Sequence, residues 1–418
     1  MILKLPLVML LGAAIPAVGL SQSWELFDMS NAGFGSNTIT DIAVDSQDNV
    51  WISTNWGLNR YDGSLWTNYL TSNSGLPDNA IYSLAVDSLD RIWMGTVFHG
   101  LVMFDGATWT QYDPDNSGLP DYEIKCVTID HRGWVWCGTY LGLACFTGSE
   151  WRLYNDTPSS YGGLILNGPV IEDVAIREDG LVMIATLNGG FHYLTDTLVS
   201  VHATYIDFFP DNSQMGVTFD TIHDERWLAT PSQGLLRQGG SWYGGPWFQY
   251  AVFNSGIPTD GLTCITMDEV GRPWMGSTNN GVIRRNINGS FVSYTVMNSG
   301  LPDNTIESLA FEHSGALWVG TFYGGAVRVD ITLDTDDAKA DQGLFVYPNP
   351  FDDRFELAYA VNDPTEWLMV DVAGRLVANG WLGPGNTHQL APGIQQRGAY
   401  VLRIRTLEGW SVRNLIKH

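Results

Sequence analysis

Residues whose side chains could perform chemistry are scattered over this sequence and form no known catalytic motif. Its eight histidines are dispersed, and no HExxH, GxSxG, phosphate-binding loop or close Cys/His ligand spacing occurs. His131 and His313 fall in equivalent turns, where a solvated turn residue is expected. The Asp-rich segment 113–116 lacks the EF-hand pattern. The sequence therefore predicts no catalytic residue, no metal site and no cofactor.

A second group of residues combines aromatic rings with side-chain amides in predicted loops. Aromatic rings stack on sugar rings and amides bond hydroxyl groups, and the same set could hold a peptide or plug a central channel. These residues vary from copy to copy in a frame that otherwise repeats, which is typical of a binding surface. The candidates are Asn55, Trp56, Phe98, His99, Tyr140, Gln233, Asn279, Asn280, Phe322 and Tyr323.

The frame that would position these loops is a repeat of about 44 residues. Each copy carries a strand-like segment that begins with tryptophan, except in the fourth copy, where methionine replaces it. Successive spacings are 42, 43, 47, 44, 47 and 44 residues. A period of this length with four strands per unit is the signature of a β-propeller blade. The leading residues are Trp51, Trp93, Trp136, Met183, Trp227, Trp274 and Trp318.

The third copy shows the four strands most clearly, at 124–129, 134–139, 142–146 and 150–154. Connections of hairpin length predict an antiparallel meander. The sequence thus predicts an all-β fold, with a seven-bladed β-propeller over 22–333.

The seventh copy, which begins at Thr305, stops after its third strand. The missing fourth strand is predicted at 23–28, pairing with 326–331, so that Leu26 and Val329 lie on adjacent strands and the ring is closed.

An acidic residue recurs six positions before the strand tryptophan in five copies. A carboxylate at the start of a tight turn caps backbone N–H groups two residues further on, so we interpret these acids as structural. The tryptophans are expected to bury their rings between neighbouring blades. The acids are Asp45, Asp87, Asp130, Asp268 and Glu312.

The charge of the chain excludes some partners. It contains 45 acidic and 21 basic residues, a formal net charge of −24. Residues 338–418 hold eight of each sign, so the excess lies before them. A surface this acidic repels phosphate backbones and anionic lipid, which disfavours nucleic acid and membrane surfaces as partners.

The first 21 residues resemble a secretory signal peptide. Lys4 precedes an uncharged stretch, 5–20, that is shorter than a spanning helix needs, and Gly19 or Ser21 could precede the cleavage site. A retained membrane anchor is the alternative. Four cysteines follow, Cys126, Cys137, Cys145 and Cys264, with no CxxC pair. We expect buried free thiols, with a Cys137–Cys145 cross-strand bridge as the alternative.

The segment 304–321 follows the pattern N-T-I-x-x-(I/L)-A-x-(D/E)-x-x-x-x-(I/L)-W-(V/M)-G-T. This pattern resembles the two-component regulator propeller repeat, and the resemblance extends over about 24–331. In that family such propellers often form the periplasmic sensor halves of hybrid histidine kinases. No kinase segment follows here, so the resemblance implies a free-standing secreted relative.

The segment 334–343 is polar and predicts a linker. Beyond it, six strands are expected at 344–347, 355–361, 367–372, 376–381, 399–405 and 412–416. They predict a small Ig-like β-sandwich over 344–418.

The sequences VYPNPF, DVAGRL and GAYVL and the basic C-terminus resemble the type A C-terminal sorting domain of type IX secretion. That resemblance implies export across the outer membrane of a Bacteroidota-type bacterium, with the type IX machinery as partner. The chain departs from the pattern by ending on histidine after lysine, and an ordinary Ig-like accessory domain is the alternative. The matching residues are Pro348, Asn349, Pro350, Gly374, Gly398, Tyr400 and Lys417.

These patterns favour a secreted or cell-surface propeller that binds glycan or protein without catalysis. A structural adhesion component and a polysaccharide lyase or hydrolase are the alternatives. Four of the connections that lead into a first strand repeat the sequence NSGLPD or a close variant, which indicates turn geometry. An insertion at 157–169 is either a lid, a partner contact or a tolerated surface loop.

Overall fold

The computed structural model describes residues 23–155, 170–195, 199–202, 209–239, 247–286, 289–331, 345–347, 351, 353–361, 363–371, 375–394, 396–406 and 409–417. The predicted signal peptide, the linker 334–343 and the insertion 157–169 lie outside these residues. Every regular element within them is a β-strand, so the all-β prediction is confirmed. None of the described segments forms a helix long and apolar enough to span a membrane.

Residues 24–329 form seven described four-stranded antiparallel sheets, numbered 1 to 7 along the chain. Their strands are, for sheet 1, β2 (Ile39–Val44), β3 (Val50–Thr54), β4 (Gly57–Tyr61) and β5 (Trp66–Tyr69); for sheet 2, β6 (Ile81–Val86), β7 (Ile92–Thr96), β8 (Leu101–Phe104) and β9 (Trp109–Tyr112); for sheet 3, β10 (Ile124–Ile129), β11 (Val135–Thr139), β12 (Gly142–Phe146) and β13 (Trp151–Tyr154); for sheet 4, β14 (Ile171–Ile176), β15 (Val182–Thr186), β16 (Phe191–Leu194) and β17 (Val199–His202); for sheet 5, β18 (Gly216–Asp220), β19 (Glu225–Ala229), β20 (Leu235–Gly239) and β21 (Trp247–Tyr250); for sheet 6, β22 (Leu262–Met267), β23 (Pro273–Ser277), β24 (Val282–Arg285) and β25 (Phe291–Tyr294); and for sheet 7, β26 (Ile306–Phe311), β27 (Leu317–Thr321), β28 (Ala326–Val329) and β1 (Trp24–Phe27).

Sheet 7 takes its fourth strand from the other end of the chain. β1 pairs antiparallel with β28, with Leu26 opposite Val327 and Trp24 opposite Val329. The first strand of each sheet contacts the first strands of the sheets before and after it, and β26 of sheet 7 contacts β2 of sheet 1. The described sheets therefore follow one another in a closed cycle, with their first strands at the centre.

The recurring acids cap their turns and also bind the strand tryptophan. In sheet 2, Asp87 Oδ1 accepts hydrogen bonds from the N–H groups of Leu89 and Arg91, while Oδ2 accepts one from Trp93 Nε1 at 3.0 Å. Burial alone would raise the pKa of Asp87, but these bonds outweigh it and hold the pKa below its ordinary value. The other four pairs, which make the same indole bond, are Asp45 with Trp51, Asp130 with Trp136, Asp268 with Trp274 and Glu312 with Trp318.

The tryptophan rings fill the space between neighbouring sheets, as predicted. Trp51 of sheet 1 packs with Ile81 and Ile92 of sheet 2, and Trp318 of sheet 7 packs with Ile39 of sheet 1. Large rings buried at each junction stabilise the order of the sheets as well as the sheets themselves.

All four cysteines are free, as expected; Cys126, Cys137 and Cys145 are also buried, as expected, whereas Cys264 is half-buried. Cys137 lies opposite Ala144, and Cys145 lies opposite Trp136. Neighbouring residues of a strand point to opposite faces, so the two thiols face different sides of sheet 3 and the alternative of a bridge between them is wrong.

The surroundings of these thiols predict that they react slowly with labelling reagents. Burial raises the pKa of Cys145 and of Cys264 to about 12 each, so thiolate is scarce at neutral pH. We expect a thiol-specific disulfide reagent to label none of the four cysteines within minutes in the folded protein, and all four in denaturant. Rapid labelling of the folded protein would contradict the packing of these strands.

Residues beyond 344 form two further sheets around one apolar core. Leu357 and Leu390 of one sheet and Met369, Leu402 and Leu415 of the other are buried together. Two sheets that share a core make a β-sandwich. The strands are β29 (Phe345–Tyr347), β30 (Phe355–Val361) and β33 (Gly385–Leu390) in one sheet, and β32 (Leu376–Leu382), β31 (Thr365–Asp371), β34 (Gly398–Thr406) and β35 (Gly409–Lys417) in the other.

The prediction of six strands in this region was wrong by one. The seventh strand is β33, which pairs with β30. Its residues, GNTHQL, contain a single apolar side chain at the end of the strand, so they show no alternation of apolar and polar residues. Pairing with a neighbouring strand makes this segment a strand.

Candidate functional site

Two sets of loops lie on one side of the ring. The loop between the second and third strands of a sheet hydrogen-bonds the connection that leads into the next sheet: Gly57 N–H donates to the Asn79 carbonyl at 2.7 Å, and Gly325 N–H donates to the Asn37 carbonyl at 3.0 Å. The same bond recurs from Gly100, Gly190, Gly234 and Gly281. We call this surface the loop face.

In each of the seven described sheets, a hydroxyl group at the end of the second strand shapes the loop between the second and third strands. In sheet 7, Thr321 Oγ1 donates to the Gly325 carbonyl at 2.7 Å and accepts the Gly324 N–H at 3.0 Å. Each of these hydroxyl residues is fully buried. The residues that hold their loops in this way are Thr54, Thr96, Thr139, Thr186, Thr230, Ser277 and Thr321. The backbone of these loops is thus held in one way, whatever side chains the loops carry.

The predicted site residues all lie on this loop face, but they differ in exposure. Trp56, Phe98 and Tyr323 are the most open of the aromatic residues, with 56%, 67% and 72% of their surface exposed. The residues that are also exposed are Asn55, Tyr140, Asn279 and Phe322, and those that are half-buried are His99, Gln233 and Asn280. Phe322 and Tyr323 contact each other edge to face, with ring centroids 4.5 Å apart.

The NSGLPD connections hold these loops in place, as the interpretation as turns predicts. In the first copy, Asn73 Oδ1 accepts the Leu70 N–H at 2.7 Å. The Asp78 carboxylate accepts the N–H of Ala80 and the N–H of Phe98, which lies in the neighbouring loop. A Cβ on Gly75 would lie 2.5 Å from the Trp109 ring, so glycine is required where the connection crosses the next sheet.

On the part of this face that the structure describes, a histidine lies beside a carboxylate that belongs to the same turn. His99 Nδ1 lies 3.4 Å from Asp78 Oδ2. Asp303 makes the equivalent two backbone bonds, to Thr305 and Tyr323, where glycine replaces the histidine. Because the acid is used in the same way without a histidine, we interpret Asp78 as a structural residue and not as half of a catalytic pair.

A charged residue lies beside one predicted site residue at the central opening. The Lys125 ammonium is 5.1 Å from the Tyr82 ring centroid, 5.4 Å from the Tyr140 ring centroid and 3.5 Å from Glu172 Oε2. Burial disfavours the charge, but Glu172 and the two tyrosines outweigh it and raise the pKa of Lys125. One face of Tyr140 is therefore engaged within the protein. Sequence reasoning missed this cluster because Lys125 and Tyr140 of sheet 3 meet Tyr82 of sheet 2 and Glu172 of sheet 4 there.

Deeper in the ring, side chains at the third position of the first strands join neighbouring sheets. These positions follow a β-bulge, and a carboxylate or hydroxyl oxygen there accepts a backbone N–H from the next sheet. The bonds run from Leu84 N–H to Asp41, from Val127 N–H to Ser83, from Val217 N–H to Asp173 and from Ile42 N–H to Ser308, at 2.8 to 3.1 Å. Cys126 and Cys264 hold the same position, each packed tightly against a glycine of the adjacent strand.

Two of these buried groups are carboxylates. Burial raises the pKa of Asp173 to about 6, although the N–H groups of Val217 and Val174 lower it, and the charge of Asp41 adds to the rise. Burial likewise raises the pKa of Asp41. Burial at these two positions therefore disfavours the ionised form of both carboxylates.

This arrangement predicts how stability depends on pH. The folded-state pKa of Asp173 lies above its ordinary value of 3.8, so the folded protein binds an extra proton between about pH 4 and pH 6, and the stability this gives is lost as the pH rises. Asp173→Asn removes the buried charge. We expect the free energy of unfolding of the parent to fall by roughly 2–3 kcal/mol relative to that of the variant as the pH rises from about 4 to 7, measured by denaturant unfolding. Glu25→Gln, at an exposed carboxylate, is the control; equal pH profiles for parent and Asp173→Asn would contradict the assignment.

Among the residues described, no group of three or more histidine, cysteine or acidic side chains could hold a metal ion.

In the predicted sorting region, Tyr400 is buried and its hydroxyl donates to the Gln396 carbonyl at 2.8 Å, while Lys417 Nζ lies 3.4 Å from Asp353 Oδ1. Gly398 is paired with Lys417 at the start of β34. The residues Pro348, Asn349, Pro350 and Gly374 lie outside the described part of the chain.

Comparison with known proteins identifies the repeat and the fold. Residues 33–56 and 75–98 match the family model of the two-component regulator propeller. No curated protein matches the sequence. The extracellular domain of a hybrid two-component system from B. thetaiotaomicron is similar in structure, with a TM-score of 0.64 and 17% identity over 95% of this chain and 57% of that one.

Two further solved structures are similar. PorZ, an essential surface component of the type IX secretion system of Porphyromonas gingivalis, has a TM-score of 0.58 and 16% identity over 94% of this chain and 60% of its own. A streptogramin B lyase has a TM-score of 0.59 and 15% identity over 74% of this chain and 98% of its own. The chain thus spans less than two thirds of the first two proteins. At these identities the likeness establishes the fold, which is a β-propeller fold that carries two-component regulator propeller repeats.

Proposed function

We propose that this chain is a secreted or cell-surface, non-catalytic, seven-bladed β-propeller that binds a glycan or a protein on its loop face. The observation that carries the proposal is the contrast within that face. Seven buried hydroxyl groups hold the loops in one way, while the side chains that the loops expose differ from sheet to sheet. A constant frame with variable exposed residues is what a binding surface requires.

The chemistry of the exposed side chains supports a ligand with both apolar and hydrogen-bonding surface. Trp56 and Tyr323 offer aromatic faces, and Asn55 and Asn279 offer amides next to them or in neighbouring loops. Sugar rings and peptides both match this combination. The acidic net charge favours neutral or basic ligands over anionic ones.

The proposed location follows from the two ends of the chain. Residues 1–21 have the composition of a signal peptide, and 344–418 resemble a type A sorting domain. The structural relatives named above include an extracellular domain and a bacterial surface component, which supports the same location. We therefore propose export by type IX secretion, with the C-terminal sandwich as the part that the machinery recognises.

The binding proposal is tested on a glycan array with the full secreted chain, repeated with Trp56→Ala and Tyr323→Ala. We expect at least one glycan or protein ligand to lose about tenfold or more in affinity with either variant, which corresponds to about 1.4 kcal/mol. Leu89→Ala changes an exposed residue in a turn at the opposite end of the strands and serves as the control. A ligand that all three variants bind equally would contradict a site on the loop face.

The export proposal predicts the fate of a truncated chain. Deletion of 344–418 should leave the protein in the periplasm of a host with type IX secretion, because the signal peptide alone leads only across the inner membrane. Fractionation and immunoblotting measure this. Appearance of the truncated chain in the medium would contradict the assignment of a sorting domain.

A further inference from the structure

The connections between sheets share a turn but differ in the polarity of two residues within it. In five connections of the described chain, those before sheets 1, 2, 3, 6 and 7, the N–H of the residue after the fourth strand is bound by an asparagine three positions on, as Leu70 is by Asn73. The N–H of the next residue is bound by the side chain eight positions on in four of them, as Val252 is by Asp260, and the fifth has Pro114 there, which has no N–H. The asparagine turn is therefore the same in these five connections, and equivalent positions can be compared.

The second and third residues after the fourth strand lie on the outside of this turn, and their polarity differs from one connection to the next. Before sheet 2 both are polar, Thr71 and Ser72, and before sheet 3 they are the half-buried Pro114 and the acidic Asp115. They are apolar before sheet 6, with Val252 and Phe253, before sheet 7, with Val296 and Met297, and in part before sheet 1, with Met29 and Ser30. Since the copy with Thr71 and Ser72 makes the same turn, the apolar residues are not needed to form it.

These apolar residues are exposed and lie on consecutive connections. Phe253 is 78% exposed and Met297 is 89% exposed, and Val252, Val296 and Met29 are exposed as well. Phe322 and Tyr323 lie on the same side of the ring, in the loop of sheet 7 that hydrogen-bonds the connection before sheet 1. We call these seven residues the apolar arc. Hydrogen bonds on both sides of the turns hold the arc in place before any partner binds.

We infer that the apolar arc is a docking surface for a protein segment that presents apolar side chains together with basic ones. The inference rests on the proposed function and narrows its ligand to a protein. Phenylalanine, methionine and tyrosine are enriched at protein interfaces, whereas exposed valine and methionine have no role in stacking on sugars. Adjacent apolar copies beside polar copies of one turn mark a patch and not scattered surface residues.

The charged residues around the apolar arc indicate which charge its partner should carry. The turns and loops that form the arc, at 28–38, 251–261, 295–305 and 321–325, contain no lysine or arginine and include Asp28, Asp260 and Asp303. The segment 20–337 that carries them has 37 acidic and 12 basic residues. Basic side chains around an apolar anchor would therefore be attracted, and an acidic partner or an anionic lipid surface would be repelled.

The test uses defined probes and the full secreted chain at physiological salt. The first probe is an 18-residue peptide of leucine and lysine with its leucines at helical spacing, and the second is the same peptide with glutamate for lysine. Titration calorimetry compares the parent, Phe253→Ser/Met297→Ser and the control Leu89→Ser. Serine already occupies the equivalent position before sheets 1 and 2, so the double variant should keep the turn, which its unfolding temperature checks.

We expect the leucine–lysine peptide to bind the parent and Leu89→Ser alike, and the double variant at least about tenfold more weakly. Equal binding of the double variant, no binding to the parent, or equal binding of the glutamate peptide would each overturn the inference. If the parent sediments with neutral phosphatidylcholine vesicles and the double variant does not, the inference is overturned in favour of a lipid surface. Glycan binding that depends on Trp56 would leave the proposed function standing even if the arc fails.

Discussion

Replacing Trp318 with alanine should lower the free energy of unfolding by about 3–5 kcal/mol, the largest loss we expect from a single side chain. The ring is completely buried and stacks on Phe27 at a centroid distance of 5.2 Å. Its Nε1 donates to Glu312 Oε1 at 2.6 Å, and Arg328 binds the same carboxylate. The change thus opens a cavity at the junction of sheets 7 and 1 and removes one partner of a buried acid.

Chemical denaturation of three variants separates these contributions. Trp318→Phe keeps most of the packing and loses the indole bond, so we expect it to cost about 1–3 kcal/mol. Trp56→Ala, at the exposed tryptophan on the loop face, should change stability by less than about 0.5 kcal/mol. A loss below about 1 kcal/mol for Trp318→Ala would show that this ring does not hold the two sheets together.

The second large effect is expected where the ring closes. Phe27→Ala should cost about 3–4 kcal/mol, because Phe27 lies on the terminal strand and packs against Trp318, Tyr61 and Trp66 with centroid distances of 5.2 to 5.3 Å. These rings belong to sheets 7 and 1, so one side chain from the start of the chain joins the last sheet to the first.

The neighbouring residue offers a matched control for this prediction. Leu26 lies on the same strand with the same pairing, but it is 37% exposed and on the other face. Leu26→Ala should cost less than about 1 kcal/mol in the same thermal or denaturant measurement. Equal effects of the two variants would contradict the packing of Phe27 across the junction.

Periodicity predicted the frame because it is a property of local sequence. Tryptophan-led strands repeat at nearly constant spacing, and the pairing of the first strand with the last sheet follows from counting which unit lacks a fourth strand. The six-residue spacing between Asp87 and Trp93 was visible as well, but its cause was not. Only the structure shows that the turn brings the carboxylate next to the indole N–H.

Two units lack the recurring acid. The fourth has Arg177 in its place and Met183 in place of the tryptophan, so both partners of the hydrogen bond are replaced together, whereas the fifth has Thr221 in its place and keeps Trp227. The missing tryptophan of the fourth unit is visible in the sequence, but its connection with the missing acid is not. A link between two side chains on different strands is not contained in the periodicity of either strand.

The candidate site was predictable in its position and less so in its detail. Loops of equivalent placement in a repeat must lie on one side of the sheets, so the ten candidate residues share a face. Lys125, which contacts Tyr140 within sheet 3, also contacts Tyr82 of sheet 2 and Glu172 of sheet 4, and these contacts between sheets could not be read from sequence. The apolar arc was overlooked because the NSGLPD repeat was read as turn geometry alone, and the exposure of Phe253 and Met297 requires the folded chain.

The central claim is that the first strand of the chain completes the last sheet and so fixes a ring with one loop face. Amide hydrogen exchange of the segment 23–28, measured by mass spectrometry, tests it most directly. β5, at Trp66–Tyr69, is the equivalent fourth strand of sheet 1 and gives the reference. We predict that the amides of 24–27 exchange as slowly as those of 66–69. Exchange at the rate of an unstructured terminus, with 66–69 protected, would contradict the closed ring.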